Sequence, residues 1–257
     1  MSAESSPDFL DGIAADLARS AAVVLAARLP EPLEAERAGV MRARLDEHDR
    51  RRHSEIQSGR AAGAFLVTRA VLRTVLGHLL NRPPSEIELT TSGRGKPALA
   101  RGTAPEIHFN TSHSRTHALI ALSRIGDVGV DIEDIGRVDD RVVRRSLSKP
   151  EFDRLVTMDA ERRAAAFYHL WTVKEACAKA TGVGIGIGMR NVAASFGRTG
   201  RWRDFTWESI VIGPRLAAAV AVRIPDGAEP SGHIELRGGV LEALFGLEPG
   251  FAPEGGG

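Results

Sequence analysis

The apolar positions follow two periods along the chain. Arg60–Leu80 carries Phe65, Leu66, Ala70, Val71, Leu72, Val75, Leu76 and Leu79 at helical spacing, and Asn81-Arg-Pro-Pro stops it. Ala21–Arg28 (AAVVLAAR) is an apolar run of strand length, ended by Pro30 and Pro32. Strands are predicted over 86–91, 107–111 and 118–123, a turn over 93–97, and a short helical or loose lead-in over 1–20. After Gly126 a similar order recurs. A short strand at Val128–Glu133 precedes helices over 148–159 and 161–181, a glycine-rich loop at Gly182–Gly188, and strands over 193–196, 205–212 and 216–223. Each half thus offers a long helix followed by strands. The closing strands, HALIALS and LAAAVAVR, lie about 99 residues apart, without a strong residue-level repeat. The order predicts an α+β fold of two similar halves, 1–125 and 126–257, with a groove between them.

Composition narrows the function classes. The 257 residues are 43% hydrophobic and 26% charged, which excludes a mainly disordered or collagen-like chain. The net charge of +1 argues against a bulk grip on nucleic acid. The single cysteine, Cys177, forbids an intrachain disulfide and fits a reducing compartment. Met1–Asp11 carries Glu4, Asp8 and Asp11 and no base, the wrong sign for a signal peptide, and Ala21–Ala27 is far too short to span a membrane. A soluble cytoplasmic protein with no membrane partner is expected. The basic residues divide into 30 arginines and only four lysines, Lys96, Lys149, Lys174 and Lys179. A lysine kept in so arginine-biased a chain marks a candidate place for a compact ammonium.

Four segments could carry chemistry. On the strand GVDIED (129–134), Val130 and Ile132 face one way, and Asp131 and Glu133 the other. Side-by-side carboxylates need a partner, and oxygen-only ligands favour Mg²⁺; a solvated strand face is the alternative. In FYHLWTVKEACAKATG (167–182), spacing of four puts Trp171, Glu175 and Lys179 on one helix face. That pair could be a surface Glu–Lys bridge, but Leu170, Val173, Ala176, Cys177 and Ala180 give the same helix apolar surface for packing, so a charge pair there needs a reason. Ile107–Ser114 ends a strand in Thr111, Ser112, His113 and Ser114, short donors suited to a phosphate. Ser112 and His113 point to opposite faces, so they make a poor nucleophile–base pair. In Gly93-Arg-Gly-Lys-Pro97, Lys96 offers a point charge to an anion, although such a run also makes an ordinary turn. The loop GVGIGIG (182–188) follows a helix and lacks a closing Gly-Lys-Ser/Thr, so it is not a P-loop.

Taken in order, these segments resemble the Sfp-like 4′-phosphopantetheinyl transferases. GKP at 95–97, FNTSHS at 109–114, GVDIE at 129–133, LSKPEF at 147–152 and WTVKEACAK at 171–179 carry the resemblance. It implies two α+β halves related by a pseudo-twofold. It implies transfer of the phosphopantetheine arm of coenzyme A to a serine of an acyl, polyketide or peptidyl carrier protein, with release of 3′,5′-ADP. By motif position, Asp131, Glu133 and Glu175 would hold Mg²⁺, and Glu175 would also act as base for the serine hydroxyl. Lys179 would serve the leaving phosphate and Lys174 the pyrophosphate. Arg60, Gly95, Lys96, Asn110, Thr111, Ser112 and His113 would surround coenzyme A. The basic stretch Arg50–Arg52 does not align and receives no ligand role. Two other classes compete: a Mg²⁺-dependent phosphohydrolase using the same carboxylates, and a non-catalytic binding module. The motifs divide between the halves, so a monomer with both walls of its groove from one chain is expected.

Overall fold

Each half is built on one long helix laid across a mainly antiparallel sheet. The computed structural model describes residues 6–91, 97–100, 102–103, 106–224 and 233–247. The first half runs α1 (Ser6–Arg19), β1 (Ala22–Arg28), α2 (Ala35–Arg42), α3 (Glu47–Glu55), α4 (Gly59–Leu80), a small pair β2 (Leu89–Thr91) and β3 (Pro97–Leu99), then β4 (His108–His113) and β5 (His117–Ser123). The second runs β6 (Val128–Asp134), α5 (Asp140–Ser146), α6 (Lys149–Leu155), α7 (Ala160–Ala180), β7 (Thr199–Trp202), β8 (Phe205–Ile210) and β9 (Leu216–Arg223). The last elements are β10 (Ile234–Arg237) and α8 (Val240–Phe245).

The sheets are ordered β10-β1-β5-β4 and β6-β9-β8-β7. Both share a connectivity: a strand, a long helix and then a hairpin, with the first strand antiparallel to the hairpin's second strand. The sheets pack on each other, so β1 is buried on both faces and reads as a continuous apolar run. Val23, Leu25 and Ala27 face α4 and its neighbours, while Ala22, Val24 and Ala26 meet Val130, Ile132, Val220 and Val222 of the second sheet. The outer face of that second sheet packs on α7 through Ala219, Ala221, Val173 and Ala176. The result is four layers, helix–sheet–sheet–helix.

Helix α4 begins where Ser58 accepts from the Ala61 N–H and ends at Asn81, which adopts φ 51°. Among the described residues it is the one helix long and apolar enough to cross a membrane, yet 67% of its most apolar window is buried within the protein.

Two expectations are corrected, and one stretch was not foreseen. The final segment does not stay with residues 126–257: β10 pairs in parallel with β1, and α8 joins the core beneath α4. Asp16 at the end of α1, itself fully buried, binds Arg237 of β10 and fastens this return. Residues 193–196 form no strand, because the Ala194 N–H is committed to Glu151 Oε1 (3.1 Å) rather than to a ladder. Residues 35–55, which carry no predicted element, form α2 and α3, concealed by short, polar sequences without a clear apolar stripe.

Candidate active site

The site forms where the edge strand β4 of the first sheet meets the edge strand β6 of the second. Asn110 closes the seam: its Oδ1 accepts from the Val130 N–H at 3.0 Å, and its side chain is buried. Asp134, at the end of β6, accepts from the Arg115 N–H (2.8 Å) and from Thr116 Oγ1 (3.3 Å) in the β4–β5 turn. Asn110, expected around coenzyme A, has its Oδ1 engaged in joining the halves.

Strand alternation distributes the rest of FNTSHS. Thr111 and His113 fall on the side of α4, where they line a cleft of about 360 Å³ with Arg52, Phe65, Arg69 and Pro97. Ser112 points across the seam. Its Oγ donates to Asp131 Oδ1 (2.9 Å) and accepts from Lys179 Nζ (3.0 Å). Lys179 Nζ lies 2.6 Å from Asp131 Oδ1 and also donates to the Val130 carbonyl at 3.2 Å. Ser112 and Lys179 line the same cleft as His113, so the basic cleft is joined to the buried Asp131 through these two side chains.

Helix α7 reaches these carboxylates because Gly129 lets it. A Cβ at residue 129 would lie 2.1 Å from the Ala176 carbonyl oxygen and 2.4 Å from the Ala180 nitrogen. With a bare backbone in β6, the helix settles onto the strand and sets Glu175 and Lys179 beside Asp131 and Glu133. The side chains of Val130 and Ile132 enter the core between the sheets, and Asp131 and Glu133 take the opposite face. Trp171 supplies a hydrogen bond to Glu133.

The electrostatics follow from crowding acids in a covered place. Burial first, then Asp131 and Glu133, push Glu175 up to about 7, while Lys179 opposes them. Glu133 is raised by burial and then by Asp131. Asp131 is only 4% exposed, and its Oδ2 is buried with no hydrogen-bond partner. Among the described residues no three such side chains already converge as a finished metal cage. The donor set is nonetheless all carboxylate oxygen, and the orphaned Oδ2 together with two raised carboxyls calls for added positive charge. These residues fit a hard divalent cation.

Other assignments move. Lys174 does not reach this site. It is 0% exposed, 2.9 Å from Glu151 Oε2, and donates to the carbonyls of Met189 (3.1 Å) and Val192. Glu151 also accepts from the Ser148 N–H (2.7 Å) and the Ala194 N–H, so this buried pair knots α6, α7 and the segment after Met189 together. Removing one partner strands a buried charge. Lys174→Met is therefore expected to lose about 3–5 kcal/mol of stability in a denaturant titration. A loss below about 1 kcal/mol would show that the pair is not structural.

Arg60 faces away from the cleft as well. Its guanidinium binds Glu31 Oε1 (3.0 and 2.7 Å) in a separate cavity of about 390 Å³ shared with Arg42, His53 and Arg115. The arginines that do line the cleft are Arg52 and Arg69. The device behind them is Arg73, fully buried on α4. It binds Asp46 and Asp49 of the α3 turn and the carbonyls of Pro84 (3.2 Å) and Ile87 (2.9 Å). That clamp presses α3 onto α4 and brings Arg52 over Phe65. Asp46 as N-cap, with Asp49 three residues on, was the sequence signal that could have placed α3. Gly95 and Lys96 lie outside the described residues; their neighbour Pro97 lines the cleft. Cys177 is buried on the inner face of α7, and burial pushes its thiol up to about 12, as befits a small core residue.

Comparison with known proteins decides the family. The family model described as the 4′-phosphopantetheinyl transferase superfamily matches residues 127–211. That of the 4′-phosphopantetheinyl transferase N-terminal region matches residues 31–124. The 4′-phosphopantetheinyl transferase psf-1 of Bacillus pumilus is 35% identical over 181 residues, 64% of this chain and 75% of the relative. The chain belongs to the Sfp-type 4′-phosphopantetheinyl transferase family. It is a phosphopantetheinyl transferase enzyme, built as two α+β halves. Sfp itself, from Bacillus subtilis, is 31% identical over 117 residues, 46% of this chain and 51% of that protein. The L-aminoadipate-semialdehyde dehydrogenase-phosphopantetheinyl transferase of Mus musculus is 27% identical over 212 residues, 72% of this chain and 69% of that one. For this transferase the two family matches meet near Gly126, in the connection from β5 to β6.

Proposed function

We propose that this transferase moves the 4′-phosphopantetheine arm of coenzyme A onto a serine of an apo acyl, polyketide or peptidyl carrier protein, with Mg²⁺, as a monomer. The observation that carries the reading is the continuity of a basic cleft with an acidic site. Arg52, Arg69 and His113 suit the 3′-phosphate end, and Ser112 and Lys179, which line the same cleft, both bind Asp131 behind it. Lys96 would join the 3′-phosphate ligands. Both walls come from one chain, so no second subunit is required.

The chemistry is a phosphoryl displacement. The serine oxygen bonds to the phosphorus that carries the pantetheine arm, the bridging P–O bond to the adenosine side breaks, and 3′,5′-ADP leaves. Asp131, Glu133 and Glu175 would hold Mg²⁺. When bound, that ion neutralises pyrophosphate charge better in the transition state than water does. Glu175 accepts the serine proton, because a hydroxyl is a weak nucleophile without a placed base. Lys179 stabilises the charge growing on the leaving phosphate. Ser112 orients Lys179 and Asp131, and Asn110 keeps the two walls in register.

Intact mass of a panel of apo carriers, incubated with coenzyme A and Mg²⁺, tests this. The expected result is a gain of one phosphopantetheine and stoichiometric 3′,5′-ADP. Coenzyme A consumption without carrier modification would instead support a hydrolase. Light scattering is expected to show a single-chain mass throughout turnover, and activity lost on dilution of a dimer would contradict it.

The cleft also makes a binding prediction. Dephospho-coenzyme A is expected to bind more weakly than coenzyme A, by roughly 1.5–3 kcal/mol for each charged hydrogen bond that the missing phosphate can no longer make. His113→Ala and Arg52→Ala should shrink that difference in calorimetry, whereas Arg60→Ala should leave it unchanged. Equal affinities of the wild type for the two ligands would remove the cleft from the 3′-phosphate.

A further inference from the structure

Asp131 already has a cation in this structure, and it is the ammonium of Lys179. Nζ is 2.6 Å from Asp131 Oδ1, 3.0 Å from Ser112 Oγ and 3.2 Å from the Val130 carbonyl oxygen. Its partners are all oxygens, the donor type a hard metal ion takes. Lys179 turns to Asp131 on the strand its helix covers; its hydrogen bonds among the described residues go to Asp131, Ser112 and Val130, and none goes to Glu175 one turn earlier on its own helix. Asp131 is 4% exposed, and its second oxygen, Oδ2, is buried and unpartnered. The seat is therefore built for positive charge and half filled.

We propose that Lys179 is a placeholder for the divalent cation. It holds Asp131 in the free protein and changes partner, onto the coenzyme A pyrophosphate, when metal and substrate enter. This rests on the metal reading given above. An ammonium and a divalent ion on one carboxylate repel each other, so the free protein binds the metal at a penalty. The pyrophosphate removes that penalty by offering the ammonium another anion. Metal and coenzyme A must then strengthen each other's binding reciprocally through this side chain. The swap also places Lys179 against the phosphate only after its seat on Asp131 has been taken, which gives the leaving group its counter-charge when it is needed.

Calorimetric titration of Mg²⁺ into the full chain, first without and then with saturating coenzyme A and no carrier, reads the swap directly. The variants are Lys179→Met and Lys179→Gln. Without coenzyme A, both are expected to bind Mg²⁺ at least about tenfold more tightly than the wild type, which is about 1.4 kcal/mol. Coenzyme A is expected to raise the Mg²⁺ affinity of the wild type more than that of either variant. Thermal melting supplies a second readout: the variants melt lower than the wild type in chelator and gain more from Mg²⁺. If the variants bind Mg²⁺ no more tightly than the wild type while Asp131→Asn abolishes binding, the metal site stands and the placeholder falls. If Mg²⁺ binding survives Asp131→Asn, the metal reading itself has failed, and the placeholder with it.

Discussion

Asp131→Asn is expected to lower carrier modification by roughly 10²–10⁴-fold. The side chain keeps its size, so the change is one of charge. Asp131 receives Ser112 and Lys179 on one oxygen and leaves the other open and buried. An amide in its place cannot act as an anionic ligand, and it relaxes the hold on Lys179. The variant is expected to remain folded, because Asn110, Asp134 and the apolar face of β6 still join the halves. Intact mass against time, beside a thermal melt, separates the two effects. A rate close to wild type at an unchanged melting temperature would take Asp131 out of the chemistry.

Gly129→Ala is expected to damage fold and activity together, though the residue touches no substrate. One methyl there meets backbone at 2.1 Å and 2.4 Å, and helix backbone cannot swing aside as a side chain can. Either α7 lifts off β6 or the strand bends. The stability loss is expected to reach or exceed the roughly 1–3 kcal/mol of an overpacked core. A displacement of about 1 Å in Glu175 and Lys179 would lower turnover by on the order of 10²-fold. Denaturant titration and turnover check both. If both remained at wild-type levels, close contact of α7 with β6 would not be what places the site.

Much of this was legible in the chain because it is local. The faces of β6 follow from period two, and Trp171, Glu175 and Lys179 share a face because four residues turn a helix by about 40° more than one full turn. The same arithmetic separates Lys174 from Lys179 by about 140°. The motif names both lysines, but one helix face cannot serve both. The structure gives Lys179 to Asp131 and Lys174 to Glu151.

Arg52, Arg60 and Arg69 show the limit most plainly. In the sequence they are three cations in one basic stretch. Which of them meets the cleft depends on how α3 lies on α4, and that is set by Arg73 reaching Asp46 and Asp49 from the other helix. The final strand escaped for a similar reason. Ile234–Arg237 is four residues long, too short for a periodic signal, and its place beside β1 depends on pairing and on the buried Asp16 of α1.

By itself, then, the sequence determined the long elements, the two acids on one face of β6, the acid and base on one face of α7, and the family motifs in their order. Each of these is a matter of spacing along one segment, where backbone geometry alone dictates direction. Tertiary structure alone decided which lysine meets Asp131, which arginines face the cleft, and that Asn110 Oδ1 joins the halves. Those outcomes depend on contacts between segments distant in the chain, where burial forces each charge and each polar group to find a partner, and periodicity carries no record of which partner it finds.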